Sequence, residues 1–165
     1  FPPQISDFDL HLFGEGHHWH VYRVLGSHRR QVDGVYGVQF AVWAPSAERV
    51  SVVGEFNAWD GRRHPMRVRG GSGIWELFIP DLEPGSLYKY EIKGPGGNML
   101  PAKADPFGMY CEQPPGNASI VLDRKAYQWR DGDYCWLRDE KGYANDQPVS
   151  IYEVHPGSWM RVPEE

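Results

Sequence analysis

Along the first two thirds of the chain, apolar residues fall at every second place over short stretches, not at every third or fourth. Val38, Phe40 and Val42, then Val50 and Val52, keep this period, which belongs to strands with one face buried. The pattern predicts strands over 35–45 and 50–56, and again over 74–80 and 86–93. Between the last two lies Asp81-Leu82-Glu83-Pro84-Gly85, a turn with Pro and Gly side by side. Shorter strands are expected over 98–102 and 118–122. Short strands with regular turn signals and no helix between them indicate a mostly β fold, an immunoglobulin-like β-sandwich. No Cys…Trp…Cys framework makes it a true immunoglobulin domain.

The two ends read differently. Ser6 is placed to cap a turn containing Phe8, Leu10, Leu12 and Phe13, which Gly14 stops. Trp19, Tyr22 and Leu25 follow at a spacing of three, with Gly26 as a C-cap, so 1–30 is expected to be a short helical segment. The sandwich then occupies 31–122. Residues 123–148 are polar and aromatic and read as an irregular linker along a surface. From Val149 the run Val-Ser-Ile-Tyr-Glu-Val-His predicts a strand, which opens the last region, 149–165.

Composition narrows the function classes. Hydrophobic residues at 41%, with 14% aromatic, suffice for a core, and a net charge of −5 argues against nucleic acid or an anionic membrane as partner. No apolar run approaches the roughly 20 residues of a spanning helix, and no stretch resembles a signal peptide. Cys111 and Cys135 lie outside any metal-ligand spacing; of the two readings, a disulfide between them or free thiols in a reducing, cytoplasmic compartment, the second is favoured. His11, His17, His18 and His20 cluster near the start, but neither carboxylate nor Cys joins them at ligand spacing, so no metal is expected. No cofactor motif is present.

The chemistry that stands out is in Gly54-Glu55-Phe56-Asn57-Ala58-Trp59-Asp60-Gly61. A large flat aromatic on a turn-rich loop suits a sugar: pyranose C–H groups pack on an indole face, and the hydroxyls around the ring need short polar partners. Trp59 is the leading candidate, with Asn57 a candidate donor to a sugar hydroxyl. Arg62, Arg63 and His64 follow directly and read by default as a charged turn, with contact to the same ligand as the alternative. In Leu87-Tyr88-Lys89-Tyr90-Glu91-Ile92, alternation sends Tyr88, Tyr90 and Ile92 to one face and Lys89 and Glu91 to the other, which leaves Lys89 on an open sheet face. Trp43, Trp75, Phe78 and Tyr36, inside strands, are expected mostly in the core. Trp129 and Trp136 are expected to anchor the linker.

The run GVYGVQFAVWAPSAERVSVVGEFNAWDGRRHPM resembles the family-48 carbohydrate-binding module that precedes the catalytic barrel of bacterial glycogen branching enzymes. DFDLHLFGEGHHWHVYRVLGSH, DPFGMYCEQPPGNASIV and PVSIYEVHPGSW agree in the same order and cover nearly the whole chain. The first motif also fits isoamylases, trehalohydrolases and the glycogen-binding module of a kinase regulatory subunit. The flanking stretches favour branching enzymes. Such enzymes are several times longer, so the resemblance implies an N-terminal piece. In it, 1–30 connects to an earlier domain, and 149–165 is a stub holding the first strand of a (β/α)8 barrel.

The same resemblance implies α-1,4-glucan as partner (glycogen, amylose or amylopectin), with sugar contacts at Trp59, Lys89 and Asn57. The rest of the enzyme, or another copy of the chain, is the expected protein partner. Related modules carry a second Trp shortly after the Lys89 strand. Here Lys93-Gly94-Pro95-Gly96-Gly97-Asn98-Met99-Leu100 has none, which implies weak binding. No catalytic residue is expected in the chain itself. Retaining glycoside chemistry needs two carboxylates about 5 Å apart, supplied in barrel enzymes by the ends of several strands. The alternatives are a structural domain without sugar binding, or the equivalent module of a trehalohydrolase or debranching enzyme.

Overall fold

Val38, Phe40 and Val42 line one face of β2 (Val35–Trp43), and Val50 and Val52 line one face of β3 (Arg49–Gly54). None of the five is more than 4% exposed. These strands belong to two different sheets of the computed structural model, which describes residues 1–123, 127–141 and 150–159. The chain divides into two units, Phe1–Ala126 and Tyr127–Glu165. In the first unit, one sheet has the order β1-β2-β5-β4, with β1 at Gly26–Val32, β4 at Arg67–Val68 and β5 at Ile74–Pro80. The other has the order β3-β6-β7, with β6 at Leu87–Lys93 and β7 at Ser119–Ile120. Every pairing is antiparallel.

The inner faces share one apolar core. Phe40, Trp75 and Ile79 from the first sheet meet Val50, Val52, Tyr88 and Tyr90 from the second, and the Phe40 and Tyr88 rings meet edge to face at 4.9 Å. Burying each such side chain contributes about 1.5–3 kcal/mol, which makes this layer the main source of stability. The first sheet is covered on its outer face as well. Ala41 and Ile74 pack there against Ile5, Val24 and Leu25, with Leu10 and Phe13 of helix α1 (Asp7–Gly14) at the margin. Ser6 caps α1 as the sequence predicts, its Oγ accepting from Asp9 N at 3.0 Å.

A fully buried carboxylate fixes the N-terminal segment to this face. Glu76 accepts from the backbone N–H groups of Gln4 (3.1 Å) and Ile5 (3.0 Å), from Gln39 Nε2 (3.2 Å), and from Arg67 Nε (3.2 Å) and Arg69 Nη1 (3.0 Å). Its charge is both paired and hydrogen-bonded, which is the condition for keeping a carboxylate in a core.

Several expectations are corrected. Residues 17–25 form only a single tight turn at Val21–Arg23, and Gly26 opens β1 instead of capping a helix. The missed strand is a polar edge strand whose Ser27-His28-Arg29-Arg30-Gln31 conceals the alternation, a normal composition for an edge. The sequence did carry its signal. Asp33-Gly34 is a two-residue hairpin turn with both φ values positive (50° and 82°), and Val32 pairs directly with Val35. Residues 98–102 are not a strand. Pro101 has no N–H to give, and the segment meets β6 and the turn after it only in isolated bridges: Gly94 N donates to Asn98 O, Leu100 N to Ile92 O, and Tyr90 and Lys103 exchange a pair of backbone bonds. Trp75 and Phe78 are core residues, but Tyr36 and Trp43 are 59% and 52% exposed. Tyr36 lies beyond the core at the end of β2, and Trp43 shares the outer face of Ala41, where the edge of Phe13 meets it at 5.9 Å.

In the second unit, helix α2 (Gly132–Lys141) replaces part of the expected irregular linker. Cys135 N bonds to Asp131 O at 2.9 Å in its first turn, where Asp133 lies at the positive end of the helix. Trp129 and Trp136 are 78% and 61% exposed. Ser150–His155 carries no strand, and Ile151 and Tyr152 are exposed; Val149, the first residue of the expected strand, lies outside the described residues. A barrel strand needs hydrogen-bonding partners on both edges, and the described residues of this unit supply none. Among the described residues no helix is long and apolar enough to cross a membrane.

Candidate functional site

β3 ends at Gly54, where a side chain has no room: a Cβ would lie 2.2 Å from Leu87 O of the neighbouring strand. A single tight turn at Glu55–Asn57 follows, and Ala58 and Trp59 then take left-handed backbone, with φ of 55° and 58°. Two consecutive non-glycine residues in that region are strained, and the surrounding bonds hold them. Ala58 N donates to Glu55 O (3.1 Å), Trp59 N to Gly54 O (2.9 Å) and Asp60 N to Asn57 O (3.2 Å). The loop folds back over the outer face of β6. A Cβ on Gly61 would fall 2.0 Å from the Glu91 carboxylate. Asp60 closes the loop by binding Arg62 through two side-chain bonds (2.9 and 2.8 Å) and one backbone N–H, contacts that hold its carboxyl well below the usual range. In this frame the Trp59 indole stays 41% exposed.

Lys89 reaches the same face from β6. Tyr88 and Tyr90 on either side are fully buried, so the alternation predicted from sequence holds, and Lys89 stands opposite Val53 of β3. Its ammonium donates to Asn117 Oδ1. Asn117 is exposed on a loop fixed by Glu112, whose Oε2 accepts from Asn117 N (3.1 Å) and Ala118 N (2.7 Å). Because Trp59 N is bonded to Gly54 O, and the adjacent Val53 faces Lys89, the backbone of the Trp59 loop leaves β3 next to the strand position opposite the Lys89–Asn117 pair. An apolar plane with a donor-rich rim matches the faces and edges of a pyranose chain.

Asn57 does not belong to that surface. It is 1% exposed and its amide is spent internally: Oδ1 accepts from Gly54 N (2.9 Å), and Nδ2 donates to Val52 O (2.9 Å) and to His64 Nδ1 (2.9 Å). Its role is to shape the Trp59 loop. His64 likewise points inward, while the Arg62 and Arg63 side chains are 84% and 62% exposed. The sequence reading missed Asn117. Its signal was the Gly116-Asn117 pair in a Pro-rich turn just before β7, which a strand-by-strand reading passes over as turn chemistry. Where a second aromatic was missing, Met99 and Leu100 are exposed (50% and 42%), and Met99 Sδ lies 4.0 Å from Arg49 Nη2 on the β3–β6 surface.

Comparison with known proteins accords with this geometry. Residues 24–108 match the family model described as carbohydrate-binding module 48 (isoamylase N-terminal domain). The chain is 57% identical over 162 residues to the 1,4-alpha-glucan branching enzyme GlgB of Methylococcus capsulatus, covering 98% of this chain and 22% of that one. It is 58% identical over 164 residues to GlgB of Rubrobacter xylanophilus, covering 99% and 22%. It therefore spans about a fifth of the length of these relatives. Among solved structures, it superposes on a putative alpha amylase from Salmonella typhimurium with a TM-score of 0.51 at 22% identity, covering 67% of this chain and 16% of the other. For a pullulanase from Paenibacillus barengoltzii the TM-score is 0.52 at 21% identity, with the same coverage of 67% and 16%. At these identities the likeness concerns the fold alone.

Proposed function

Starting from the fact that this chain belongs to the carbohydrate-binding module 48 family, we propose that it binds α-1,4-glucan as the binding and support module of a 1,4-α-glucan branching enzyme. The observation that carries the reading is the exposed Trp59 indole, held by a strained loop on the face where Lys89 meets Asn117. Strained backbone around a half-exposed aromatic serves a ligand better than it serves folding. Packing one indole face on a sugar contributes about 1–3 kcal/mol of the roughly 4–8 kcal/mol that micromolar to millimolar binding requires, so a surface with one aromatic plane is expected to bind weakly.

In the whole enzyme, an α-1,4 bond would be cleaved and the glucan segment transferred to a 6-hydroxyl, creating an α-1,6 branch. The module's part is to hold the chain being acted on, or to support the barrel, without chemistry of its own. The immunoglobulin-like sandwich is taken as 31–122, extended at its start to include β1. Residues 123–148 lead from it towards 149–165, read as the start of the catalytic barrel. A cytoplasmic setting is supported by the unpaired thiols of Cys111 and Cys135.

Affinity electrophoresis through glycogen and amylopectin tests the binding. Retention of the wild-type chain and about a tenfold loss in Trp59→Ala are expected. Equal mobility of the two would favour a structural domain without a sugar face.

A further inference from the structure

We propose that His64 is a positioning residue that holds the Trp59 loop in its binding shape only while its imidazole is neutral, so that glucan retention falls in mild acid. The proposal rests on the reading of Trp59 as a glucan contact. Its basis is the bonding of Asn57. The Gly54 N–H can only donate and the Val52 carbonyl can only accept, so the Asn57 amide has one permitted orientation, Oδ1 to Gly54 and Nδ2 to Val52. The second Nδ2 hydrogen then faces His64 Nδ1 at 2.9 Å, and that nitrogen must accept. The ring proton of neutral His64 therefore resides on Nε2. An imidazolium carries N–H on both nitrogens and would set a donor against a donor in a site where Asn57 is 1% exposed.

The surroundings make this link consequential. Val52 N donates to His64 O at 3.0 Å, so strand β3 grips the histidine by backbone and, through Asn57, by ring. Phe56 meets the imidazole edge to face at 5.6 Å. Burial, and after it the neighbouring positive charge of Arg63, keep the His64 pKa below its ordinary value. The carboxylates nearby offer the cation no partner: Asp60 is engaged by Arg62, Glu91 of β6 by Arg49 of β3, and Glu55 is exposed to solvent. Lys89 on β6 adds only positive charge, and it is turned to Asn117. Asn57 in turn supplies the carbonyl that receives Asp60 N and the Oδ1 that anchors Gly54, whose own carbonyl receives Trp59 N. Protonating His64 thus loosens both flanks of the indole.

The test follows co-sedimentation of the 165-residue chain with insoluble starch from about pH 7.5 to about pH 5, for wild type, His64→Asn and Trp59→Ala. Asn at 64 keeps an acceptor near the Nδ1 position and cannot titrate. Wild-type retention is expected to drop at least about threefold across this range, and His64→Asn to stay flat. Without glucan, the Asn57 side-chain amide and the Trp59 indole N–H resonances of the wild type should shift together with the His64 ring titration. A flat wild-type profile alongside a Trp59→Ala chain that no longer binds overturns the proposal, as does an equal acid loss in His64→Asn. If Trp59→Ala binds like wild type, the glucan reading has failed instead. The glucan-free resonances then decide the His64 link alone, and an Asn57 amide indifferent to pH refutes it. They also decide if His64→Asn does not fold.

Discussion

The Tyr88 hydroxyl donates to Asp105 Oδ2 at 2.8 Å at the centre of the sandwich, where Tyr88 is fully buried and Asp105 is 6% exposed. Tyr90 donates to the same oxygen at 2.9 Å, and Phe107 N to Oδ1 at 2.8 Å. The two tyrosines flank Lys89, so this buried carboxylate fixes the rotation of the strand that presents Lys89 outward. Burial raises the Asp105 pKa above 3.8 despite these donors. A carboxyl whose folded pKa is raised binds its proton more tightly in the folded state. Its contribution is therefore fully present below the unfolded value and is lost as pH rises through the folded value.

Two outcomes follow for Asp105. Asp105→Ala should cost about 2–4 kcal/mol in urea denaturation, because two buried hydroxyls and a backbone N–H lose their acceptor. For Asp105→Asn, which cannot titrate, the stability difference should shift in favour of wild type as pH falls from the folded pKa towards about 4. A pH-independent difference would show that Asp105 titrates as it does unfolded.

The paired groups on the binding face should act as a unit. Lys89→Met and Asn117→Ala are each expected to weaken glycogen retention a few-fold. The double variant should lose less than the product of the two, since each single change already breaks the Lys89–Asn117 bond. Strict additivity in a double-mutant cycle would mean that the two side chains meet the glucan separately or not at all.

How much of this was readable beforehand depends on what each residue's neighbours decide. The inward face of β2, β3 and β6 was legible because Val38, Phe40, Val52, Tyr88 and Tyr90 keep a strict period of two, and Lys89 followed from the same parity. Trp59 was legible as a large aromatic in a turn. Asn57 was not, because a turn asparagine facing a ligand and one satisfying the backbone look alike until the positions of Gly54 N and Val52 O are known. β1 was hidden by its charges, although Asp33-Gly34 announced it. Glu76 gave no sign of being a core residue, since its five donors come from residues up to 72 positions away.

Glu76 should be among the least replaceable side chains in the first unit. Glu76→Ala leaves the N–H groups of Gln4 and Ile5 without an acceptor and Arg69, whose side chain is only 11% exposed, with Asp7 at 3.4 Å as its remaining carboxylate, at a cost of about 3–5 kcal/mol. Limited proteolysis should then cut within the first few residues before the sandwich melts, because the same change frees the N-terminal segment. Cleavage no faster than in wild type would mean that Ile5 and Leu25 hold this segment by apolar packing alone.

The loop that carries Trp59 trades stability for position, and one substitution separates the two. Ala58 has a φ of 55°, and its side chain gains nothing that offsets a left-handed backbone, whereas glycine adopts that conformation without a Cβ clash. Ala58→Gly should therefore raise stability by about 0.5–1 kcal/mol after allowing for the greater freedom of glycine in the unfolded chain. Glucan retention should be unchanged or slightly weaker. The bonds from Trp59 N to Gly54 O and from Asn57 to its three partners still define the loop, while residue 58 itself is less confined. Urea denaturation paired with affinity electrophoresis on the same preparation reads both quantities. A loss of stability would show that Ala58 is held by contacts stronger than its strain, and that Trp59 stands where it does for folding alone.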